Sequence, residues 1–253
     1  MPLPQLAYRI YERRLQRTIP GDLVPRHVGV ILDGNRRWAR QSGTSTELGH
    51  QAGANKISDF LGWCHEMGIE VVTLWMLSTD NLQRDAAELE PLIGIIEQTV
   101  RELAGSGRWQ VRAVGSLDLL PTSTAAVLRH AQEVTSKVEG MSVNVAVGYG
   151  GRHEIADAVR SLLREALDSQ ADLGELANTL GVEDITRHLY TKGQPDPDLV
   201  IRTSGEQRMG GFLMWQSQYT EFYFCEAYWP DFRRVDFLRA IRSYAARERR
   251  HGR

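Results

Sequence analysis

Short β-branched runs alternate along the chain with longer stretches of helical period. The runs that predict strands are His27–Leu32, Glu70–Leu77, Gln110–Val114, Ser142–Val147, Asp198–Arg202 and Glu221–Phe224. Between them lie amphipathic segments near 50–67, 86–104, 122–137, 152–167 and 182–190, with a last helix near 235–248. Strands separated by helical patterns of this length are the signature of βαβ units, whose right-handed crossovers place helices on both faces of a sheet. The expectation is a single α/β domain built on a mostly parallel six-stranded sheet flanked by helices. Residues 1–20 predict a short amphipathic helix ahead of a domain spanning 21–253. No internal repeat or low-complexity linker interrupts the pattern. Open parallel sheets bind ligands outside the carboxyl ends of their strands, so the chemistry should lie just after each apolar run.

Composition narrows the class. With 253 residues, 42% apolar and 25% charged, the chain is globular rather than disordered or membrane-embedded. A net charge of -2 gives no global reason to expect nucleic acid. The ends differ: residues 1–20 hold Arg9, Arg13, Arg14 and Arg17 against Glu12, and the tail holds Arg247, Arg249, Arg250 and Arg253. Such ends are usually a solvated face, with peripheral membrane contact as the functional alternative. Cys64 and Cys225 lack metal-ligand spacing and read as buried thiols in a reducing compartment. No run has the length of a membrane span and the N-terminus lacks a secretory pattern, so the expected location is cytoplasmic.

The first strand ends in Asp33-Gly34-Asn35-Arg36-Arg37-Trp38. Gly34 permits close backbone approach, and a helix opening at Asn35 would offer free N–H groups to an anion. A carboxylate beside a diphosphate is a ligand set for Mg²⁺; the plainer reading is that Asp33 caps the helix. After the fifth strand, Arg202-Thr203-Ser204-Gly205-Glu206-Gln207-Arg208 brackets a polar turn with two arginines, suited to phosphate oxygens or to a surface ion-pair network. Glu221, heading the sixth strand, is placed at the same edge as a second metal carboxylate. Ser78-Thr79-Asp80-Asn81-Leu82-Gln83-Arg84 follows the second strand.

Together these segments resemble the cis-prenyltransferases, the undecaprenyl diphosphate synthase family. The matching pieces are HVGVILDGNRRWA (27–39), GHQAGANK (49–56), TLWMLSTDNLQR (73–84), NVAVGYGGRHEI (144–155), DLVIRTSGEQR (198–208) and GFLMWQSQYTEFYF (211–224), in order and on the predicted strand ends. The resemblance implies an Mg²⁺-dependent enzyme that condenses isopentenyl diphosphate with an allylic diphosphate. It implies that Asp33 positions Mg²⁺ on the allylic diphosphate, cradled by Gly34, Asn35, Arg37 and His50, and that Arg36, Trp38 and Arg84 also bind substrate. Arg202 and Arg208 are expected to hold isopentenyl diphosphate, organised by Glu206, with Gly210 lending a backbone N–H and Glu221 assisting at the metal. Ser78 and Asn81 would orient the reacting ends. Arg250-His251-Gly252 matches an Arg-x-Gly tail that crosses to the partner's site in a homodimer; the last two strands and Trp229-Pro230 are candidates for that interface.

Four positions depart from the family pattern: Thr46 for an arginine, Leu82 for a tryptophan, Asp85 for a proline and Gly210 for a serine. Met76 stands where long-chain members carry a small residue lining the product tunnel. Each prenyl unit buries five carbons at ~0.8 kcal/mol per CH₂, so a bulky Met76 implies a short product, with (2Z,6E)-farnesyl diphosphate from geranyl diphosphate first; otherwise Met76 is a core filler. The stripe Leu89, Leu92, Ile93, Ile96, Val100 and Leu103 is core, tunnel wall or both. Alternatives are a longer-chain synthase, an irregular coupling of two dimethylallyl units, and a non-catalytic partner subunit. GYGG at 148–151 lacks the third glycine of a dinucleotide fingerprint. His65, His130 and His188 read as ordinary surface or helix residues, and six scattered tryptophans make no nucleic-acid platform.

Overall fold

The computed structural model describes residues 3–247. Six strands form one sheet in the order β3-β4-β2-β1-β5-β6, every pair parallel. They are β1 (His27–Ile31), β2 (Val71–Ser78), β3 (Gln110–Val114), β4 (Ser142–Tyr149), β5 (Leu199–Arg202) and β6 (Glu221–Phe224). The helices are α1 (Leu3–Arg17), α2 (Asn35–Gln41), α3 (Thr46–Glu66), α4 (Ala86–Gly105), α5 (Thr122–Val134), α6 (Gly151–Asp168), α7 (Leu173–Thr179), α8 (Val182–Thr186) and α9 (Arg234–Ala245). The six predicted strands are all present within two residues at each end. The segment predicted near 182–190 closes as the short α8, and α7 was not anticipated, because its polar sequence LGELANT carries little apolar period.

The apolar residues of each strand alternate between two covered faces. Val28, Val30, Val72, Leu74, Val143, Val145 and Ile201 join the larger core with α3, α4, α5 and α9. Phe60 of α3 is central there, edge-on to Trp229 at 5.5 Å and to Phe237 at 5.6 Å. On the other face Ile31, Ala146, Tyr149, Val200, Phe212 and Leu213 form a smaller core. Trp229 is fully buried and its Nε1 donates to Gly53 O at 2.7 Å, so it is a core anchor and not part of an interface surface.

A polar seam crosses the sheet near the amino ends of its strands. His27 Nε2 lies 2.8 Å from Thr73 Oγ1 and its Nδ1 lies 2.8 Å from Pro195 O. Asn144 Nδ2 donates to Thr73 Oγ1 and to Gln194 Oε1. Burial lowers the His27 pKa to about 4, so the ring is neutral near pH 7.

Register aims the opposite edge at one point. Ile31 pairs with both Trp75 and Arg202, which sets the ends of β1 and β5 abreast while β2 runs on to Ser78. β2 is irregular between Trp75 and Leu77, at Met76; such an extra residue re-aims the side chains around it.

Candidate active site

Asp33 sits two residues beyond β1. Its backbone N–H donates to Thr203 Oγ1 at 3.0 Å and to Ile31 O, while Thr203 Oγ1 donates to Asp33 O at 2.6 Å. These bonds lock the turn after β1 to the turn after β5. Gly34 follows at φ 109°, a conformation in which a Cβ would also meet the Tyr228 ring at 2.8 Å, so only glycine fits. The Asp33 carboxylate does not cap α2: Oδ2 accepts from Arg202 Nη2 at 3.0 Å and Oδ1 faces Arg37 Nη2 at 3.6 Å. Burial works to raise its pKa, but Arg202, the Ser204 hydroxyl and Arg37 outweigh it and hold the carboxyl below its usual range.

Arg202 is 8% exposed at its side chain and also donates through Nη1 to the carbonyl of Arg208. The loop between β5 and β6 is thereby tied to the strand end. Arg37 Nη2 donates to Ser204 Oγ at 2.6 Å, and Glu206 links Arg37 at 3.5 Å to Arg208 at 2.8 Å. Ser204 holds this turn in the left-handed region, φ 79°. Farther along, Tyr149 Oη donates to Glu154 at 2.6 Å and accepts from Leu213 N at 3.1 Å, and Gln216 donates to Glu154 Oε1 at 3.0 Å. Burial pushes the Glu154 carboxyl up, and its three donors, Tyr149, Gln216 and the Tyr190 N–H, limit that rise. Glu154 thus pins the segment that carries Gly210.

A third group gathers around a residue the sequence reading missed. Glu88, in the first turn of α4, accepts from Arg84 Nη1 at 2.8 Å and lies 3.6 Å from Arg36 and 3.8 Å from His50 Nε2. Arg84 Nη2 also donates to Asn81 Oδ1 at 2.8 Å, and Ser78 Oγ accepts from Asn81 N at 3.1 Å. Burial, then Arg84, lowers the His50 pKa, with Glu88 opposing. Glu88 carries no phosphate-binding signature in sequence, and its spacing to Arg84 is that of any helix-start ion pair.

Asp33, Arg36, Arg37, His50, Ser78, Asn81, Arg84, Arg202, Glu206 and Arg208 line one cavity of about 630 Å³, within the ~300–1,000 Å³ typical of small-ligand sites, while Glu88 braces Arg84 from outside the lining. Six arginines (36, 37, 40, 84, 202 and 208) and His50 face it against Asp33, Asp80 and Glu206. Apolar wall comes from Ala54 and Ile57 of α3, Leu92, Ile95 and Ile96 of α4, and Met76. The α4 stripe serves as both core and wall, since Val100 and Leu103 belong to the core alone. Arg40 supplies a cation that sequence reasoning did not assign, where Thr46 supplies none. Gly210 lines the cavity at φ 62°; a Cβ there would meet the Trp75 ring at 3.3 Å, and that ring stacks on Phe212 at 5.1 Å. The missing serine and the tryptophan of β2 are therefore one packing solution.

Of the remaining expectations, Trp38 is half-buried and does not line the cavity. Glu221 needs correction. It opens β6 and pairs with Leu199, three residues before Arg202, so it lies at the amino edge of the sheet with its carboxylate on Arg247. Parallel strands put all heads at one edge and all tails at the other, and this chain does not bring its own Glu221 to Asp33. Arg250 and Gly252 lie outside the described residues. His188 is not a simple surface residue: its ring is 7% exposed, between Ser161 Oγ at 2.9 Å and Glu165 at 3.2 Å. Among the described residues no helix is long and apolar enough to cross a membrane.

The family model for undecaprenyl diphosphate synthases matches residues 31–252, a span that contains every cavity element described above. The chain belongs to this family of prenyltransferases. It is 63% identical to a (2Z,6E)-farnesyl diphosphate synthase of Thermobifida fusca, over 97% of this chain and 96% of that one. It is 54% identical to a protein of the same name from Mycobacterium tuberculosis, over 99% and 97%. Among solved structures, lavandulyl diphosphate synthase from Lavandula x intermedia, in complex with dimethylallyl diphosphate, superposes with a TM-score of 0.83 at 33% identity, covering 90% of this chain and 98% of that one. In this prenyltransferase the motif residues that adjoin the strand ends converge on one cavity, while Glu221 and Trp38 stand apart from it.

Proposed function

We propose that the chain condenses isopentenyl diphosphate with a short allylic diphosphate, geranyl diphosphate first, to give a short Z-prenyl diphosphate such as (2Z,6E)-farnesyl diphosphate. The observation that carries this reading is the pairing of an arginine-rich wall around Asp33 with an apolar wall containing Met76 in one cavity. The names of the relatives at 63% and 54% identity support it.

The donor set fits Mg²⁺. Asp33 presents carboxylate oxygens to the cavity, and among the described residues no cluster of three His, Cys, Asp or Glu would hold a metal alone. Mg²⁺ favours such sites, with one or two carboxylates and the rest from substrate phosphate and water. Bound there beside Asp33, it would neutralise charge on the departing diphosphate. Arg36, Arg37, Arg84 and His50, with Asn35, are assigned to the allylic diphosphate, and Arg202 and Arg208 to isopentenyl diphosphate. In the reaction the allylic C–O bond breaks and its electron pair leaves with diphosphate. The alkene of isopentenyl diphosphate supplies the pair for the new C–C bond, and one proton departs from the adduct. No side-chain nucleophile is needed, so preorganised cations carry most of the stabilisation. Ser78 and Asn81, held to each other and to Arg84, orient the reacting ends. A homodimer, in which a second copy's tail completes the site, is part of this reading.

Purified protein, Mg²⁺, radiolabelled isopentenyl diphosphate and either geranyl or farnesyl diphosphate test it, with Asp33→Ala and EDTA as controls. A C15 product with one new cis bond from geranyl diphosphate, lost in both controls, is expected. Long products would keep the family and discard the short-chain assignment. The lavandulyl diphosphate synthase likeness favours irregular coupling as a second reading, which turnover of dimethylallyl diphosphate alone would support.

A further inference from the structure

α1 is held to α9 by its inner face. Leu15 is buried, Tyr8 Oη accepts from Arg233 Nη1 at 2.7 Å, and the Arg239 guanidinium lies 5.7 Å from the Tyr11 ring centroid. At about 100° per residue, Arg13, Arg17, Ile10 and Arg14 then fall on the side away from Leu15. All four are exposed, Ile10 by 59%, and among the described residues none of the three arginines lies within ion-pair distance of a carboxylate. The two packed helices carry seven arginines and two carboxylates, in a chain whose net charge is -2. The asymmetry is therefore local. Of the α9 arginines, Arg234 is paired with Glu66 at 2.7 Å and Arg239 is engaged by Asp236 and Tyr11, which leaves Arg242 and the three outer arginines of α1 without a carboxylate among the described residues, so most of the uncompensated charge lies on the outer side of α1.

We infer that this outer face of α1 docks the protein on an anionic lipid bilayer. An exposed aliphatic side chain flanked by unpaired arginines on a helix lying flat against the body has the composition of an interfacial helix: the apolar group enters the headgroup boundary and the cations meet lipid phosphates. The rigid tether to α9 sets the angle, so docking needs no unfolding of α1. The contact is electrostatic in origin and weakens with salt. The inference stands on this surface and is independent of which prenyl product the cavity makes.

Flotation of the full chain with vesicles of phosphatidylcholine alone, or of phosphatidylcholine mixed with phosphatidylglycerol, tests the assignment. The protein should float with the mixed vesicles only, and added salt should release it. At roughly fivefold per arginine, the variant R13E/R14E/R17E should lose partitioning by about a hundredfold, and Ile10→Ser should weaken it without changing the salt dependence. Both variants should keep wild-type circular dichroism and turnover of soluble short substrates. Equal flotation with neutral vesicles, no flotation with anionic ones, or a triple variant that floats like wild type would each overturn the proposal.

Discussion

Arg202 Nη2 and Asp33 Oδ2 lie 3.0 Å apart across the join between β5 and β1, one a wall of the proposed isopentenyl diphosphate site and the other the proposed metal ligand. The pair couples two functions that sequence reading treats separately. Arg202 is the principal group holding the Asp33 carboxyl below its ordinary range, so its removal must raise that pKa. Arg202→Ala is expected to lower kcat/KM for isopentenyl diphosphate by at least a hundredfold and to move the acid limb of the pH–rate profile to higher pH. A drop in activity with an unmoved limb would show that Arg202 binds substrate without tuning Asp33.

Glu88 holds Arg84 and, through it, Asn81, in fixed orientations. Glu88→Ala should release both. Loss of one charge-assisted hydrogen bond is worth about 1.5–3 kcal/mol, so KM for a diphosphate substrate should rise about tenfold or more, with kcat reduced less. Steady-state kinetics with each substrate varied in turn measure the split.

Met76 lines the cavity at the irregular step of β2 and shares its apolar wall with Leu92 and Ile96 of α4. Met76→Ala removes the thioether from the wall and should extend the product by at least one C5 unit, read by chromatography after phosphatase treatment. An unchanged product would make Met76 a core filler.

Gly210→Ser would restore the side chain expected from the family pattern but place its Cβ 3.3 Å from the Trp75 ring at a positive φ. A loss of about 1–3 kcal/mol is expected from the strain, measured by urea unfolding. Trp75→Tyr in the same chain should recover part of it, and strict additivity would deny the coupling.

His27 supplies a pH signature for stability. Its folded pKa of about 4 lies below the unfolded value near 6.5, so the unfolded chain binds the extra proton first as pH falls. Stability is complete above pH 6.5 and declines toward pH 4. Between pH 7.5 and pH 5 the loss should be about 2 kcal/mol, and His27→Gln should abolish that increment in urea titrations.

The six strands were legible because buried parallel strands are dense in β-branched residues and leave little ambiguity in period. The strand-end rule then located Asp33, Ser78 and Arg202 without knowledge of the packing. It failed for Glu221 for a physical reason: a residue that opens a strand lies about four residues' rise from one that closes it, and a motif records proximity in sequence, not polarity in the sheet. Arg40, which lines the cavity, and Glu88, which braces Arg84 behind it, were missed because helix-surface charges carry no local mark of such roles. Gly210 was noted without its neighbour, and only the 3.3 Å approach shows that the Trp75 ring crowds the position a side chain would take.

The strand order also governs how the protein comes into being. The first 150 residues supply β1 to β4 and complete one side of β1, whereas its other edge waits for β5, about fifty residues later. During synthesis at roughly 5–20 residues per second, β1 therefore keeps an edge of unpaired N–H and C=O groups open for several seconds after β4 is made. Asp33 has neither Thr203 nor Arg202 until that gap closes. A nascent chain is thus incapable of turnover and most prone to self-association in the same interval, and chains interrupted before residue 199 should accumulate as aggregates rather than as weak enzymes.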